Sequence, residues 1–414
     1  MTTPRLLVFS SLFPSAAQPQ AGLFIRERMF RVGKHIPIVV VAPQPWFPAQ
    51  ALIRWFRPHF RLMASTHEVM DGVAVHRPRF LCIPGIFKWT DGLFMALSLF
   101  FVVRRVAREH RANIIDAHFG YPDGYAAVLL GRWLKLPVML TLRGKESRQS
   151  HSRVAAALKR AITGADQLIA VSEALRVLAI QQGASPARVQ VIGNGVDLTR
   201  FIAVPRLDAR RQLGLPDDAE VLISVGTLVE GKGFHRVIEV LPAMLASHPT
   251  LHLAIVGGAG PAGDMGAELK SMVSTLGIED RVHFLGPIAH EQLKVALSAA
   301  DVFVLATSYE GWANVFLEAL ACGLPVVTTD VGGNAQVIND RALGRLVPFG
   351  DSHRLREAID EALRTPWDRA SIRAYAESNS WDRRVQPLID LYHQLLSRGR
   401  SERAQSRMEM GNAR

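Results

Sequence analysis

Short runs of aliphatic and β-branched residues recur along this chain and alternate with longer stretches of helical periodicity. "RLLVFSS", "IPIVVVAP", "NIIDAHF", "PVMLTLRG" and "QLIAVSE" form a first series, with helices predicted between them at 93–110 and 124–134. "VLISVGTL", "LHLAIVGG", "RVHFLG", "DVFVLATS" and "PVVTTDVGG" form a second, separated by helical stretches such as "GFHRVIEVLPAML" and "HEQLKVALSAA". Strands that are apolar throughout are buried on both faces, and their alternation with helices predicts parallel sheets. Two such series predict an α/β protein built from two doubly wound domains. The stretch "DLTRFIAVPRLDARRQLGLPDDAE" has no strand, two prolines and a run of charge, so the division is expected near 200–218. The domains predicted are 1–205 and 206–379, with the helical segment 380–398 packing back onto the first and the polar tail 399–414 frayed. A chain of 414 residues is also too long for one core.

Composition narrows the classes. A hydrophobic content of 49% with 21% charged residues describes a globular chain, not a disordered one. Cys82 and Cys322 provide neither a disulfide framework nor metal-ligand spacing, which suits a reduced, cytoplasmic compartment. The longest apolar run, "GLFMALSLFFVV" (92–103), falls short of the ~20 residues of a membrane span. The opening "MTTPRLLVFSSLFPSAAQ" reads as a first strand rather than a signal peptide, its apolar stretch being short and broken by serines. Charge is uneven: residues 1–200 carry a balance of +15 and the remainder −4, within a total of +11. A basic first half fits an anionic partner as well as it fits ordinary surface charge. "ALIRWFRPHFRL" (51–62) interleaves Arg54, Arg57 and Arg61 with aromatic residues; a nucleic-acid patch or an ordinary loop and core edge would read alike, and the basic first half favours reversible contact with an anionic membrane surface.

In open parallel sheets ligands bind beyond the carboxyl ends of the strands, so the following loops carry the chemistry. One of these opens "TSYEGWANVFLEALACGLPVV" (307–327), where the otherwise apolar Val315–Cys322 contains a carboxylate, Glu318, eight residues after Glu310. Asn314 is the expected N-cap and Gly323 the terminator of that short helix. A buried carboxylate needs donors. A nucleotide-sugar could satisfy the pair together with the free amides of the helix start. Alternatively, Glu318 engages buried backbone amides and Glu310 is a surface charge.

The segment closely resembles the E-x7-E signature of the family-4 retaining glycosyltransferases. Further matches follow in order: "AGLFIRERM", "DAHFGYPDGYAAVLLGRWLKLPVMLTLRG", "LIAVSEALRVLAIQQGASPARVQVIGNGVDLTRF", "VGTLVEGKGFHRVI", "AIVGGAGP", "VHFLGPIAHEQL" and "VVTTDVGGNAQVI". The resemblance implies a GT-B fold of two facing Rossmann-like domains and transfer of a sugar from a nucleotide donor to a surface glycan or lipid-linked acceptor. It implies that Glu318 binds the ribose, that Glu310 occupies the catalytic Glu position, and that His118 reaches the sugar from the other domain. Lys232 would neutralise the diphosphate, Gly22 would let the backbone approach it, and amides at Asn314 and Val315 would hold sugar or phosphate oxygens. Thr227 and Gly257 would line the donor site, and no metal or other cofactor would be required. Two motifs depart from the pattern. Thr227 stands where an Arg is common, and "TLRGKE" has Arg143 and Glu146 where His and Asp are common, making Arg143 a candidate for an anionic acceptor-side or donor group.

Other motifs compete. "GTLVEGKG" (226–233) is one residue short of a phosphate-binding loop, with Gly233 where a Mg²⁺-binding Ser or Thr belongs, so a nucleotide hydrolase is the alternative enzyme. "GAGPAG" (258–263) fits G-x-G-x-x-G, but the ribose-binding acid is not at the end of the next strand. A non-catalytic binder of membrane or nucleic acid would share the basic charge without needing the glutamate pair. No nucleic-acid partner is expected, since no RNP or zinc pattern is present. Trp312 fits core packing as well as stacking on a ring, and Cys322 is expected in the helix core.

Overall fold

A computed structural model describes residues 3–412, except 20, 49, 51, 52, 54, 56–62, 84–86 and 261–262; side chains are described as far as 398. Most of the basic–aromatic stretch 51–62 therefore lies outside the described residues. The chain divides into two units, Met1–Asn194 with Arg384–Arg414, and Gly195–Arg383. The division thus falls at 194/195, ahead of the 205/206 boundary read from composition. Val196 and Phe201 explain the shift: both are fully buried in the core of the second unit.

The first unit contains β1 (Leu6–Phe9), β2 (Ile38–Val41), β3 (Gln44–Trp46), β4 (His67–Met70), β5 (Val73–His76), β6 (Arg79–Leu81), β7 (Ile114–His118), β8 (Val138–Leu142), β9 (Gln167–Ala170) and β10 (Val189–Val191). Eight of these form one sheet in the order β10-β9-β8-β7-β1-β2-β5-β4, and β3 pairs with β6. The large sheet is parallel except at its β4–β5 edge. There Asp71 and Gly72 both take positive φ, the two-residue hairpin turn that matches strand twist. Leu6–Phe9 are all buried, as a central strand covered on both faces requires. The helices used below are α1 (Leu23–Gly33), α2 (Asp91–Glu109) and α3 (Tyr125–Leu134).

The second unit holds β11 (Glu220–Val225), β12 (Leu251–Val256), β13 (Val282–Gly286), β14 (Val302–Leu305), β15 (Val326–Thr329) and β16 (Gly344–Val347) in one parallel sheet, ordered β13-β12-β11-β14-β15-β16. Its helices include α4 (Phe234–Met244) and α5 (Asn314–Ala321). The last helix, α6 (Trp381–Asn412), passes from one unit to the other. From Val385 to Leu395 it seats Val385, Leu388, Ile389, Leu391, Tyr392 and Leu395 in the core of the first unit. Its backbone stays helical through Asn412, where polarity alone predicted a frayed tail.

The strand order reverses between β1 and β7 in the first sheet, whose β5–β4 hairpin edge turns back again, and between β11 and β14 in the second. At such a reversal the two following loops diverge to opposite faces and open a crevice.

Candidate functional site

In the second unit, the loops after β11 and β14 meet at this reversal. The Gly231 carbonyl accepts from the Ser308 amide at 2.8 Å and from the Thr307 hydroxyl at 2.9 Å. Gly233, the N-cap of α4, takes φ 75°, and a Cβ there would overlap the Ala306 carbonyl. The Ser or Thr of a phosphate-binding loop cannot stand at this position without displacing backbone. From the two stapled loops Lys232 and Glu310 join in an ion pair, both largely buried. Residues 78 apart are thus brought together. The turn behind Glu310 is fixed as well: its carbonyl accepts from the Gly333 amide at 3.0 Å and rests against Gly332, where a Cβ would overlap it.

Glu318 lies in α5, and its partner is a side chain. His290 Nε2 stands 3.0 Å from Glu318 Oε1, and the Arg200 guanidinium is 2.9 Å from His290 Nδ1. Arg200 can only donate, so Nδ1 accepts and the proton sits on Nε2, pointing at Glu318. The His290 ring also packs on Phe201, with centroids 5.1 Å apart. His290 stands within "VHFLGPIAHEQL", a stretch whose residues alone assign it no role. The signal was a carboxylate in an apolar helix, which requires a donor but does not say from where.

Asn314 is the first residue of α5, and the N-cap is Ala313, with no side-chain cap. Asn has the right chemistry for a cap, but the chain enters the helix one residue early, leaving Asn314 and Val315 in the first turn. Gly257 (φ 155°) sits where a Cβ would overlap the Gly226 carbonyl, so its small size lets the loop after β12 lie on the loop after β11. Thr227 packs under Gly260, where any added Cβ would meet its methyl group.

The first unit repeats the plan. β1 and β7 pair in parallel, Phe9 opposite Ala117, so their following loops start side by side. The Asp123 carboxylate fastens them, accepting from the Ser11 amide and, at 2.9 Å, from the Ser11 hydroxyl. Burial pushes the Asp123 carboxyl up to about 6. His118, at the end of β7, is fully buried. Burial first, and then the Arg143 and Arg28 cations, hold its imidazole well below its ordinary pKa, so it is neutral at pH 7. Arg143 Nε lies 3.3 Å from His118 Nδ1. That nitrogen accepts, so the proton is on Nε2, which has no hydrogen-bond partner among the described residues.

Arg143 is itself buried. Its guanidinium bonds His118 and, at 3.1 Å, Asn194 Oδ1, and lies 5.0 Å from the Phe24 ring centroid. None of the guanidinium's hydrogen-bond partners among the described residues is a carboxylate. Glu146, despite standing three residues on, spends both oxygens on backbone: Gly120 N at 2.8 Å, Gly144 N at 2.7 Å and Arg143 N at 3.1 Å. Beneath His118, Asp116 accepts from the Tyr392 hydroxyl at 2.6 Å and is pushed up to about 6 by burial. Gly22 caps α1 at φ 69° against the Leu12 carbonyl, a contact that accounts for glycine there by backbone packing.

Comparison with known proteins bears on both units. Residues 205–379 match the family model described as glycosyl transferases group 1, and residues 66–200 that described as glycosyltransferase family 4. A Bacillus subtilis protein, TuaC, provisionally named a teichuronic acid biosynthesis glycosyltransferase, is 30% identical over 80% of this chain and 82% of its own. The D-inositol 3-phosphate glycosyltransferase of Geodermatophilus obscurus is 36% identical over 56% of this chain and 54% of its own. Among solved structures, Anabaena Alr3699/HepE, crystallised with UDP, superposes with a TM-score of 0.71 at 20% identity, over 94% of this chain and all of that one.

Proposed function

The chain belongs to family 4 of the glycosyltransferases, with the GT-B fold, and on that premise we propose that it transfers a sugar from a nucleotide-diphosphate donor to a glycan or lipid-linked glycan of a surface polysaccharide, with retention of anomeric configuration. The observation that carries this reading is the meeting of Lys232 and Glu310 at the strand-order reversal of the second sheet. Glu310 holds the ammonium at the mouth of the loop after β11, poised for a diphosphate. Leaving-group departure builds charge on that diphosphate, and a pre-positioned cation stabilises the departing state more than the bound substrate. Glu318, oriented by His290, accepts from the ribose hydroxyls. Neutral His118 donates its unpartnered Nε2–H to the sugar, and the buried Arg143 favours an anionic group on sugar or acceptor.

Support for the donor class comes from Alr3699/HepE, solved with UDP and with UDP-glucose, and support for a surface glycan from TuaC. In this reading the reaction runs in the cytoplasm, at the inner face of the membrane, and needs no resident metal, so a chelator leaves transfer undiminished. The test is a panel of UDP- and GDP-sugars in thermal denaturation. A donor at 100 times its dissociation constant adds about 2.7 kcal/mol and raises the melting temperature. Glu318→Ala is expected to abolish the shift at the same concentration. A panel without any shift, or one that Glu318→Ala leaves intact, overturns the reading.

A further inference from the structure

The outer side of α2 carries side chains that a solvated helix does not usually display. Leu93, Leu97 and Phe101 follow at intervals of four, so they form one stripe, and they are 41%, 54% and 74% exposed. The opposite face buries Met95, Leu99, Val103 and Val106, so the helix is apolar on two sides over its first three turns. The aromatic surface continues beyond the helix. Phe101 lies 5.2 Å from Phe100, Phe100 lies 5.9 Å from Trp133 at the end of α3, and Trp89 is 54% exposed just ahead of α2.

Past Phe101 the same stripe turns basic with Arg104 and Arg108. These two, with Arg111 and Lys135, surround a hollow of about 740 Å³ that has Phe100 and Trp133 in its wall. The carboxylate nearby in sequence, Glu109, stands 3.9 Å from Arg105. Apolar stripe, exposed tryptophans and a cationic border are the three requirements of a surface that lies in the headgroup region of a bilayer.

We propose that this face of α2 and α3 docks the protein onto an anionic lipid bilayer, with Leu93, Leu97 and Phe101 entering the acyl boundary and a lipid phosphate occupying the arginine-lined hollow. Charge decides the occupant. A second copy would bring the same arginines against these, and like charges across an interface oppose association. A nucleic acid would meet the arginines but leave Leu93 and Leu97 without a counterpart. The inference deepens the reading of a lipid-linked acceptor and rests on it only for its purpose, since vesicle binding needs no transfer.

The experiment is co-sedimentation of the full chain with vesicles of phosphatidylcholine alone or mixed with phosphatidylglycerol, at low and high salt. Binding is expected only to the anionic vesicles, weakened by salt. Replacing Arg104 and Arg108 by Gln lowers partitioning about fivefold for each arginine. Leu97→Glu with Phe101→Glu lowers it at least as much, whereas Arg341→Gln and Arg354→Gln on the second unit leave it unchanged. All these side chains are exposed, so folding is preserved, as an unchanged melting temperature will verify. Equal binding to both vesicle types, or variants that bind like the parent, overturn the proposal. A dimer that Phe101→Glu dissociates, without vesicle binding, overturns it in favour of a second copy. Vesicle binding without any sugar transfer retains this inference and removes the acceptor reading instead.

Discussion

At single residues, the chemistry rests on which carboxylates have partners and of what kind. Glu310 is committed to Lys232 and Glu318 to His290, so removing either acid frees a partly buried cationic or polar partner as well as a ligand contact. Glu310→Gln keeps the shape but loosens the lysine, and it is expected to lower kcat roughly 100-fold, within the range for an electrostatic group in a preorganised site, with KM changed little. Steady-state kinetics separate the two parameters, and a change confined to KM would contradict the assignment. Asp123 yields a pH prediction. Its folded pKa, about 6, is above the ordinary 3.8, so the native state binds a proton that the unfolded chain has already lost. Stability from this group is therefore complete below pH ~4 and falls as pH rises through 6, by about 3 kcal/mol at ~1.4 kcal/mol per unit. Denaturant unfolding at several pH values should show this decline in the parent and its absence in Asp123→Asn. Parallel profiles would refute it.

At the scale of elements, glycines and carbonyls hold the loops of the second sheet where the sheet order opens a crevice. Gly233 illustrates this best, because positive φ and contact with the Ala306 carbonyl exclude a side chain on two independent grounds. Gly233→Ser, which completes the apparent phosphate-loop motif, is expected to destabilise by about 1–3 kcal/mol from backbone strain and to weaken donor binding, without creating nucleotide hydrolysis. Calorimetry and a phosphate-release assay check the two halves. The motif is a coincidence of spelling: its lysine is used, but its last position faces main chain. The β4–β5 hairpin went unread for a different reason. "HEVMDGVAVH" alternates weakly, and only the Asp71–Gly72 pair marked it, a signal easily passed over on an exposed edge.

For the whole molecule, the main consequence is that the first unit is completed by the end of the chain. Six side chains of α6 lie in its core, and full burial is worth about 1.5–3 kcal/mol each, which together matches or exceeds the ~5–15 kcal/mol that typically separates folded from unfolded states. Truncation after Arg383 is expected to unfold the first unit while leaving the second intact, since among the described residues the core of the second draws nothing from beyond that point. Limited proteolysis of the truncated chain should leave a resistant fragment near 195–383. Survival of a folded first unit would show the helix dispensable. The truncation also removes the Tyr392 hydroxyl from Asp116, leaving a buried acid without its donor.

The sequence by itself determined the two parallel sheets, since only strands covered on both faces are apolar throughout, and it singled out Glu310 and Glu318, because carboxylates beside an apolar helix require a reason. Tertiary structure alone decided what those acids touch, that Glu146 serves backbone amides while Arg143 faces His118, and that the division between the units falls ahead of Val196 and Phe201. Periodicity is a local property that each segment carries in its own spacing. A partner is chosen by strand order, which brings together residues dozens to hundreds of positions apart and leaves no mark in either neighbourhood.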